Sequence, residues 1–526
     1  MLVGYVSDEQ YLALSDVSLV FCQGDQVVPA RSLADGAVIA ELSFGQWEVT
    51  LSKAGYGGKR VSLTLPAQSP HQFRLLSDQL LGYVWPKWAA AGTEGEFRIH
   101  STGAYKLSLW RYGWRKELIE DLGWFDDHGP RATTQILPDG DFTQTGVRWN
   151  QVGFGSAWHR QRIVAPARSG LYYFHVKNAD GEFFSFPWIV QPPRPQARVA
   201  VLTSNVTWNA YNSFGGRSNY VNQRELLPRP TVYARSDLER YTHPGTWPFE
   251  EYGAPLSFDR PEPANVVPEG TQVTDLIEGR LACASAPGEW RLLGWLEREQ
   301  IAYDLYSETE LHFGRVPLDQ YDVLVLNTHN EYVTPAMYFA IKDWVFQRGG
   351  RLMYLAGCGF LCEFEFLDES TIRCRQEERT DLRQESEACL LGVAYSHGGY
   401  RTGAPYRVLQ GEHWVFEGTE LASGDLFGLT SLNGRTPGGA SGLELDKLSP
   451  HSPPTIVHLA KGLNPQESGA DLVLHETASG GAVFSAGSLN WTLALPVDNG
   501  VSRITANVLK RFLNTPRGRQ VASGPA

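Results

Sequence analysis

Residues Tyr321–Tyr332 read YDVLVLNTHNEY. Val323 to Leu326 form an unbroken apolar run, which then turns polar at Asn327, Thr328, His329, Asn330 and Glu331. A continuous apolar run suits a parallel strand covered on both faces. Ligands of open α/β sheets gather beyond the carboxyl ends of such strands. If the chain stays extended past Leu326, His329 and Glu331 point the same way. An imidazole and a carboxylate aimed together off a strand end suit a metal or acid–base site.

The neighbouring sequence supports that reading. ARVAVLTSN (197–205), AYDLYSETEL (302–311) and RLMYLAG (351–357) read as further strands. GEWRLLGWLEREQI, from Gly288 to Ile301, carries Leu292, Leu293 and Leu296 at helical spacing. TPAMYFAIKDWVFQRGG is a second helix, with Thr334 at the N-cap, Pro335 at N1 and Gly349-Gly350 ending it. VSRITANVLKRFLN is a final amphipathic helix, preceded by a strand pair or strand–loop in GGAVFSAGSLNW. Strands alternating with helices predict a doubly wound parallel sheet over 197–516, with 517–526 as a disordered tail.

Before the proline-rich linker QPPRPQ (191–196) the style is different. VSLVFC, AVIAELSF, QWEVTLS and RVSLTLP predict a small β-sandwich over 1–78. EFRIHS, YKLSLWRYG, WHRQRIVAP, GLYYFHVKN and FFSFPWIV predict an Ig-like β-sandwich over 79–193, its last hairpin turning at Asp180-Gly181.

Length and charge narrow the function. The 526 residues suit about two to four domains. A net charge of −12 argues against nucleic acid or an anionic membrane as main partner. No apolar run approaches the ~18 residues of a spanning helix, and the N-terminus lacks a secretory signal. Six cysteines in so long a chain form no disulfide framework, so a reducing cytoplasm is expected.

Candidate chemistry gathers after the strands. No CxxC pair or HExxH occurs, which leaves little for zinc. Cys358 lies in LAGCGFLC, flanked by glycines after a strand, as in a nucleophile elbow, with His329 as its available base. A metal-independent Cys358 amidohydrolase is therefore one reading, and a small residue in a cramped turn is the plain one. TWNAYNSFGGRSNY (207–220) and WPFEEYGAPLSFDRP (247–261) are aromatic-rich loops that composition alone assigns to the surface. A third reading makes the α/β unit a non-catalytic carbohydrate- or protein-binding module.

Taken in order, WNAYNSFGG, LSFDRP, GEWRLLGWLERE, THNEY, GGRLMYLAGCGF and GAVFSAGSLNW resemble the large (beta) subunit of N,N-dimethylformamidase, over roughly Arg198 to Leu513. The resemblance implies a class I glutamine amidotransferase (flavodoxin-like) architecture for the α/β unit. It implies hydrolysis of a small N-substituted amide at a mononuclear iron. It implies two tyrosine ligands and one glutamate: Tyr211 of WNAYN, Tyr252 before LSFDRP with Tyr220 as the competing choice, and Glu331 of HNEY. His329 would then be a proton-handling neighbour. Cys358 stands where relatives tend to carry Asn, and a further family acid corresponds to Glu467 of GLNPQES. A small subunit or self-association is implied as well. Residue chemistry agrees, because two phenolates and a carboxylate would neutralise Fe³⁺ and are harder donors than zinc prefers.

Overall fold

The structure is a computed structural model that describes residues 1–126, 161–219, 229–230, 253–375 and 382–515. Strand alternation builds the first unit. In Gly45–Lys53, Trp47, Val49 and Leu51 point inward while the residues between them face solvent. A four-stranded sheet (Ser18–Gln23, Gln26–Arg31, Gly45–Lys53, Tyr56–Leu65) and a three-stranded sheet (Leu2–Ser7, Ala37–Ile39, His71–Arg74) share one core of Val6, Phe21, Trp47 and Phe73.

The second unit repeats the plan. Three strands (Leu81–Trp85, Glu94–His100, Arg162–Val164) and five strands (Trp88–Ala90, Tyr105–Tyr112, Lys116–Phe125, Gly170–Asn178, Phe183–Gln191) share a core of Ile99, Leu107, Phe174 and Trp188. Gly170–Asn178 and Phe183–Gln191 pair as the expected hairpin, with Gly181 at φ 86° in its turn. The other face of the five-stranded sheet is buried at Tyr112, Leu171, Tyr173 and Ile189. Tyr112 stacks on Tyr173 and meets Trp290 at 4.7 Å, and the Trp290 indole donates to the Gly113 carbonyl at 2.7 Å. Tyr112, Leu171, Tyr173 and Ile189 on this face belong to the core of the next unit, separate from the core named above.

In that third unit the elements that position the site are β1 (Val199–Leu202), α1 (Asn205–Tyr211), α2 (Ala286–Arg298), β2 (Asp304–Tyr306), α3 (Glu308–His312), β3 (Val323–Thr328), α4 (Pro335–Phe346) and β4 (Arg351–Ala356). After them come β5 (Tyr406–Val408), β6 (Leu426–Phe427), β7 (Val457–Gly462), β8 (Asp471–Glu476), β9 (Ala482–Ser485) and α5 (Asn499–Asn514). Sheet order is β2-β1-β3-β4-β9-β8-β7-β5-β6. The first five strands are mutually parallel, and β3 is buried along its whole length. Thr334 caps α4, its hydroxyl accepting from the Met337 amide at 3.2 Å.

The sheet is not parallel throughout, as expected above. The pairings β9–β8, β8–β7, β7–β5 and β5–β6 are antiparallel. For β7–β8 and β8–β9 connection length is the reason. A parallel link needs a dozen or more residues. Thr477–Gly481 gives β8 and β9 only a tight turn, in which the Thr477 amide donates to the Gly481 carbonyl at 2.8 Å. The strands at the start of the unit have α-helices between them, whereas the later ones have only short 3-10 turns, Trp414–Phe416 and Pro465–Glu467.

The turn from α4 into β4 tests this packing. A Cβ on Gly350 would lie 2.1 Å from the Trp344 ring, whereas one on Gly270 would meet nothing within 4 Å. Gly350→Ala is expected to destabilise the protein by about 1–3 kcal/mol in denaturant titration, with Gly270→Ala close to neutral.

Candidate active site

The polar end of β3 does not stay extended. Thr328 sits at φ 63°, a conformation costly for a β-branched residue. Two tight turns follow, with the His329 amide donating to Asn327 O at 2.7 Å and the Glu331 amide to His329 O at 3.0 Å. His329 and Glu331 still converge, Nε2 lying 3.3 Å from Oε2. Turning, not strand alternation, brings them together. Beside them the turn after β4 holds Cys358 and Phe360, at φ 57° and 58°. Backbone strain concentrated at adjacent strand ends is a mark of a functional site.

Tyr211 arrives on α1, whose seven residues are all buried. A short buried helix needs partners for its free amides. Glu289 of α2 supplies some, Oε1 accepting from Ser204 N at 2.8 Å, Ser204 Oγ at 2.5 Å and Trp208 Nε1 at 2.7 Å. Thr207 ties the helix to the turn by donating to His329 O at 2.7 Å. The Tyr211 hydroxyl then reaches Glu331 Oε2 at 2.5 Å and His329 Nε2 at 2.9 Å.

The cluster is charged and dry, Tyr211 being 6 % exposed, Glu331 2 % and His329 0 %. Burial opposes a charge on His329, but Glu444 (Oε2 3.1 Å from Nε2), Glu331 and the Gly357 carbonyl (2.9 Å from Nδ1) push it up to about 9. Burial likewise opposes a charged Glu331, and His329, Tyr211 and Arg280 together bring it below the usual carboxylate range. Arg280 ion-pairs Glu444 at 3.2 Å and lies 5.6 Å from the Tyr211 ring and 5.5 Å from the Tyr400 ring.

The β units brace the loops around this cluster. The first unit's Glu9 carbonyl accepts from Gly215 N at 2.7 Å, and its Arg74 donates to Gly215 O at 3.4 Å. In the second unit, Tyr83 donates to Asp259 at 2.9 Å, Arg98 ion-pairs Asp259, and Lys87 ion-pairs Glu262 at 2.6 Å. Arg260, fully buried, donates to Phe214 O at 2.5 Å and to both Asn209 oxygens at 3.0 Å. The aromatic-rich segments therefore line the interior where they are described, against the surface position that composition alone suggests.

Tyr211, His329 and Glu331 come together. Cys358 lies beside them, buried, with its amide donating to Asp446 Oδ1 at 2.9 Å. Burial, then Glu444, Glu331 and Asp446, push its thiol well above the ordinary range. That environment opposes the thiolate a nucleophile needs. Glu467 is exposed, at φ 54° in the short turn Pro465–Glu467. The carboxylate that approaches His329 is Glu444. Tyr252, Tyr220 and the tail 517–526 lie outside the described residues.

The amide and hydroxyl donors of this turn are engaged within the protein. Asn330 Nδ2 donates to Glu308 at 2.7 Å and Thr203 O at 3.3 Å, Thr328 Oγ1 to Asn327 at 2.8 Å, and Gly357 N to Thr328 O at 3.4 Å. Glu444 and Arg280 escaped the sequence reading. The one available signal was the LELDKL pattern, which sets Glu444 and Asp446 two apart among leucines.

The donor chemistry accommodates a hard cation. Tyr211 Oη and Glu331 Oε2, 2.5 Å apart, offer two oxygens to one point. Glu444 Oε2 is buried outside hydrogen-bond geometry although 3.1 Å from His329. Among the described residues no group of three His, Cys, Asp or Glu is set to hold a metal. A cation bound at this cluster would thus draw on phenol oxygen.

Residues 107–503 match the family described as N,N-dimethylformamidase beta subunit-like, C-terminal. The chain is 25% identical over 418 residues to the N,N-dimethylformamidase beta subunit of Paracoccus aminophilus. It is 24% identical over 424 residues to that of an Alcaligenes species. Each match covers 66% of this chain and 52% of the relative, so the chain spans about half the length of these relatives. A DUF3823 family protein from Bacteroides ovatus, at TM-score 0.14 and 10% identity over 35% of this chain and 98% of that one, is too slight a likeness to bear on the fold.

Glu289 generates a test of the buried electrostatics. Burial outweighs its hydrogen bonds from Ser204 and Trp208 and pushes its carboxyl up to about 8. Between its ordinary 4.5 and about 8 the folded protein holds a proton that the unfolded chain releases, so stability falls as pH rises through that window. Glu289→Gln is expected to remove this slope. Urea unfolding at pH 5.5 and pH 8 checks it, and parallel losses in both proteins would contradict it.

Proposed function

We propose, from the premise that the chain belongs to the N,N-dimethylformamidase beta subunit-like family, that it hydrolyses a small N-substituted amide to a carboxylic acid and an amine. The observation that carries this reading is the buried convergence of Tyr211, Glu331 and His329 within 2.5–3.3 Å. Tyr211 and Glu331, with Tyr252 as the second tyrosine, would hold a mononuclear iron, as Fe³⁺. An iron ion there supplies Lewis acidity toward the amide carbonyl and the attacking water.

The protein's own groups handle protons and shape. His329, anchored through Nδ1 to the Gly357 carbonyl, presents Nε2 to the cluster. Charged at rest, it gives its proton to nitrogen as the C–N bond breaks, and recovers one from the hydroxyl that the added water contributes. Glu444 stabilises the charged imidazole at 3.1 Å, and Arg280 ion-pairs Glu444 at 3.2 Å. Burial of the cluster excludes bulk water and strengthens these interactions. Cys358, a neutral thiol beside them, forms part of the wall that selects the amide.

The parallel half of the sheet, with its site beyond the carboxyl ends of β3 and β4, is consistent with the class I glutamine amidotransferase-like architecture proposed for this unit. The curated relatives are named as subunits, and we read this chain as one part of a multi-subunit assembly. No described helix is long and apolar enough to cross a membrane.

Purified protein is expected to carry about one iron per chain and a visible phenolate-to-iron absorption. Tyr211→Phe and Glu331→Gln should each lower iron occupancy, bleach that absorption and reduce hydrolysis of an N-alkylated formamide at least about a hundredfold. Iron-free, colourless protein with full amidase activity contradicts the reading. If Cys358→Ser abolishes turnover while iron and colour remain, the thiol route replaces it.

A further inference from the structure

Glu308 belongs to none of the groups that touch substrate in the proposal above, yet it is 1 % exposed and joins the two segments that carry the site. It opens α3. Its Oε1 accepts from Asn330 Nδ2 at 2.7 Å, and Asn330 is the residue between His329 and Glu331. Its Oε2 accepts from Val206 N at 3.2 Å, in the first turn of the helix that ends at Tyr211. Its own amide donates to Asn205 Oδ1 at 2.8 Å, and Asn205 returns a bond to Thr309 Oγ1 at 3.1 Å. One carboxylate therefore holds the turn with one oxygen and the helix with the other. Thr207, bonded to His329 O at 2.7 Å, is the second bridge between the same two segments.

We propose that Glu308 is a positioning residue, whose bidentate bridge from Asn330 to Val206 fixes the spacing between Tyr211 on α1 and the His329–Glu331 turn. The geometry demands such a device. Tyr211 and Glu331 are 120 residues apart in sequence, and the turn they meet in contains Thr328 in a left-handed conformation that relaxes unless held. First-sphere donors placed within a few tenths of an ångström need supporting bonds of this kind. The inference rests on the iron reading for its consequence, but the bridge itself is a property of the metal-free protein.

The test uses the full chain with and without iron. In Glu308→Gln the amide oxygen accepts from Val206 or Asn330 but not both, and its NH₂ faces the Asn330 NH₂. Iron affinity, measured by competition with a chelator, is expected to fall at least about tenfold, and the visible absorption to shift. Hydrogen exchange in the metal-free variant should rise in 204–211 and 328–331 together, with the β units unchanged. The paired change Glu308→Gln with Asn330→Asp lets the new amide donate to the new carboxylate and leaves the net charge as it was. It is expected to recover most of the lost affinity, which a merely structural loss would not do.

Unchanged affinity and absorption in Glu308→Gln overturn the proposal, as does exchange that rises evenly through the chain or a paired variant no better than the single one. If Glu308→Gln does not fold, Asn330→Ala cuts the same bridge from its other end, and wild-type iron affinity in that variant overturns the proposal. Wild-type protein that takes up no iron defeats the iron reading, and the exchange measurement alone then decides whether the bridge exists.

Discussion

A phenol and a carboxylate held 2.5 Å apart in a dry interior, with an imidazole 2.9 Å from the same phenol, form the contact around which this protein is arranged. Burying such a group is costly unless every partner is in place. The surrounding polar residues read as the answer to that cost. Glu289 satisfies the start of the Tyr211 helix, Glu308 and Thr207 weld it to the turn, and Glu444 and Arg280 complete the charge balance. Removing any one leaves a buried polar atom unpaired, so the network holds together as a unit.

The same constraint gives the two β units a role. The loop after Tyr211 and the segment around Arg260 are long connections that would otherwise order themselves at high entropic cost. The first unit grips one through Glu9 and Arg74, and the second grips the other through Tyr83, Arg98 and Lys87. Aromatic packing of Tyr112 and Tyr173 onto Trp290 joins this face of the second unit to the core of the α/β unit. A scaffold of this kind stiffens a site built from loops.

Local signals in the sequence were strong enough to be read. The buried strand 323–328, the capped helix from Pro335 and the hairpin at Gly181 each depend on residues within a few positions of one another. His329, Glu331 and Tyr211 were legible as candidates because chemistry and motif coincided. Glu444 was not, since its role depends on a meeting with His329 across more than a hundred residues. Glu467 was preferred, and it is exposed. The mode of convergence was misread for a related reason. Extended geometry was the simplest path from Thr328 onward, whereas the fold holds Thr328 at φ 63° by bonds from distant segments. The antiparallel pairing of β7, β8 and β9 followed from short connections that are present in the sequence but carry meaning only once the strand ends are fixed.

The central claim is that Tyr211 becomes a tyrosinate ligand of iron beside Glu331. Resonance Raman scattering excited within the visible band of the iron-loaded protein measures this most directly, because only tyrosinate bonded to the metal is enhanced. The account predicts tyrosinate ring modes in the wild type that weaken or shift in Tyr211→Phe. An iron-loaded, active protein without such modes, or modes identical in Tyr211→Phe, would contradict it.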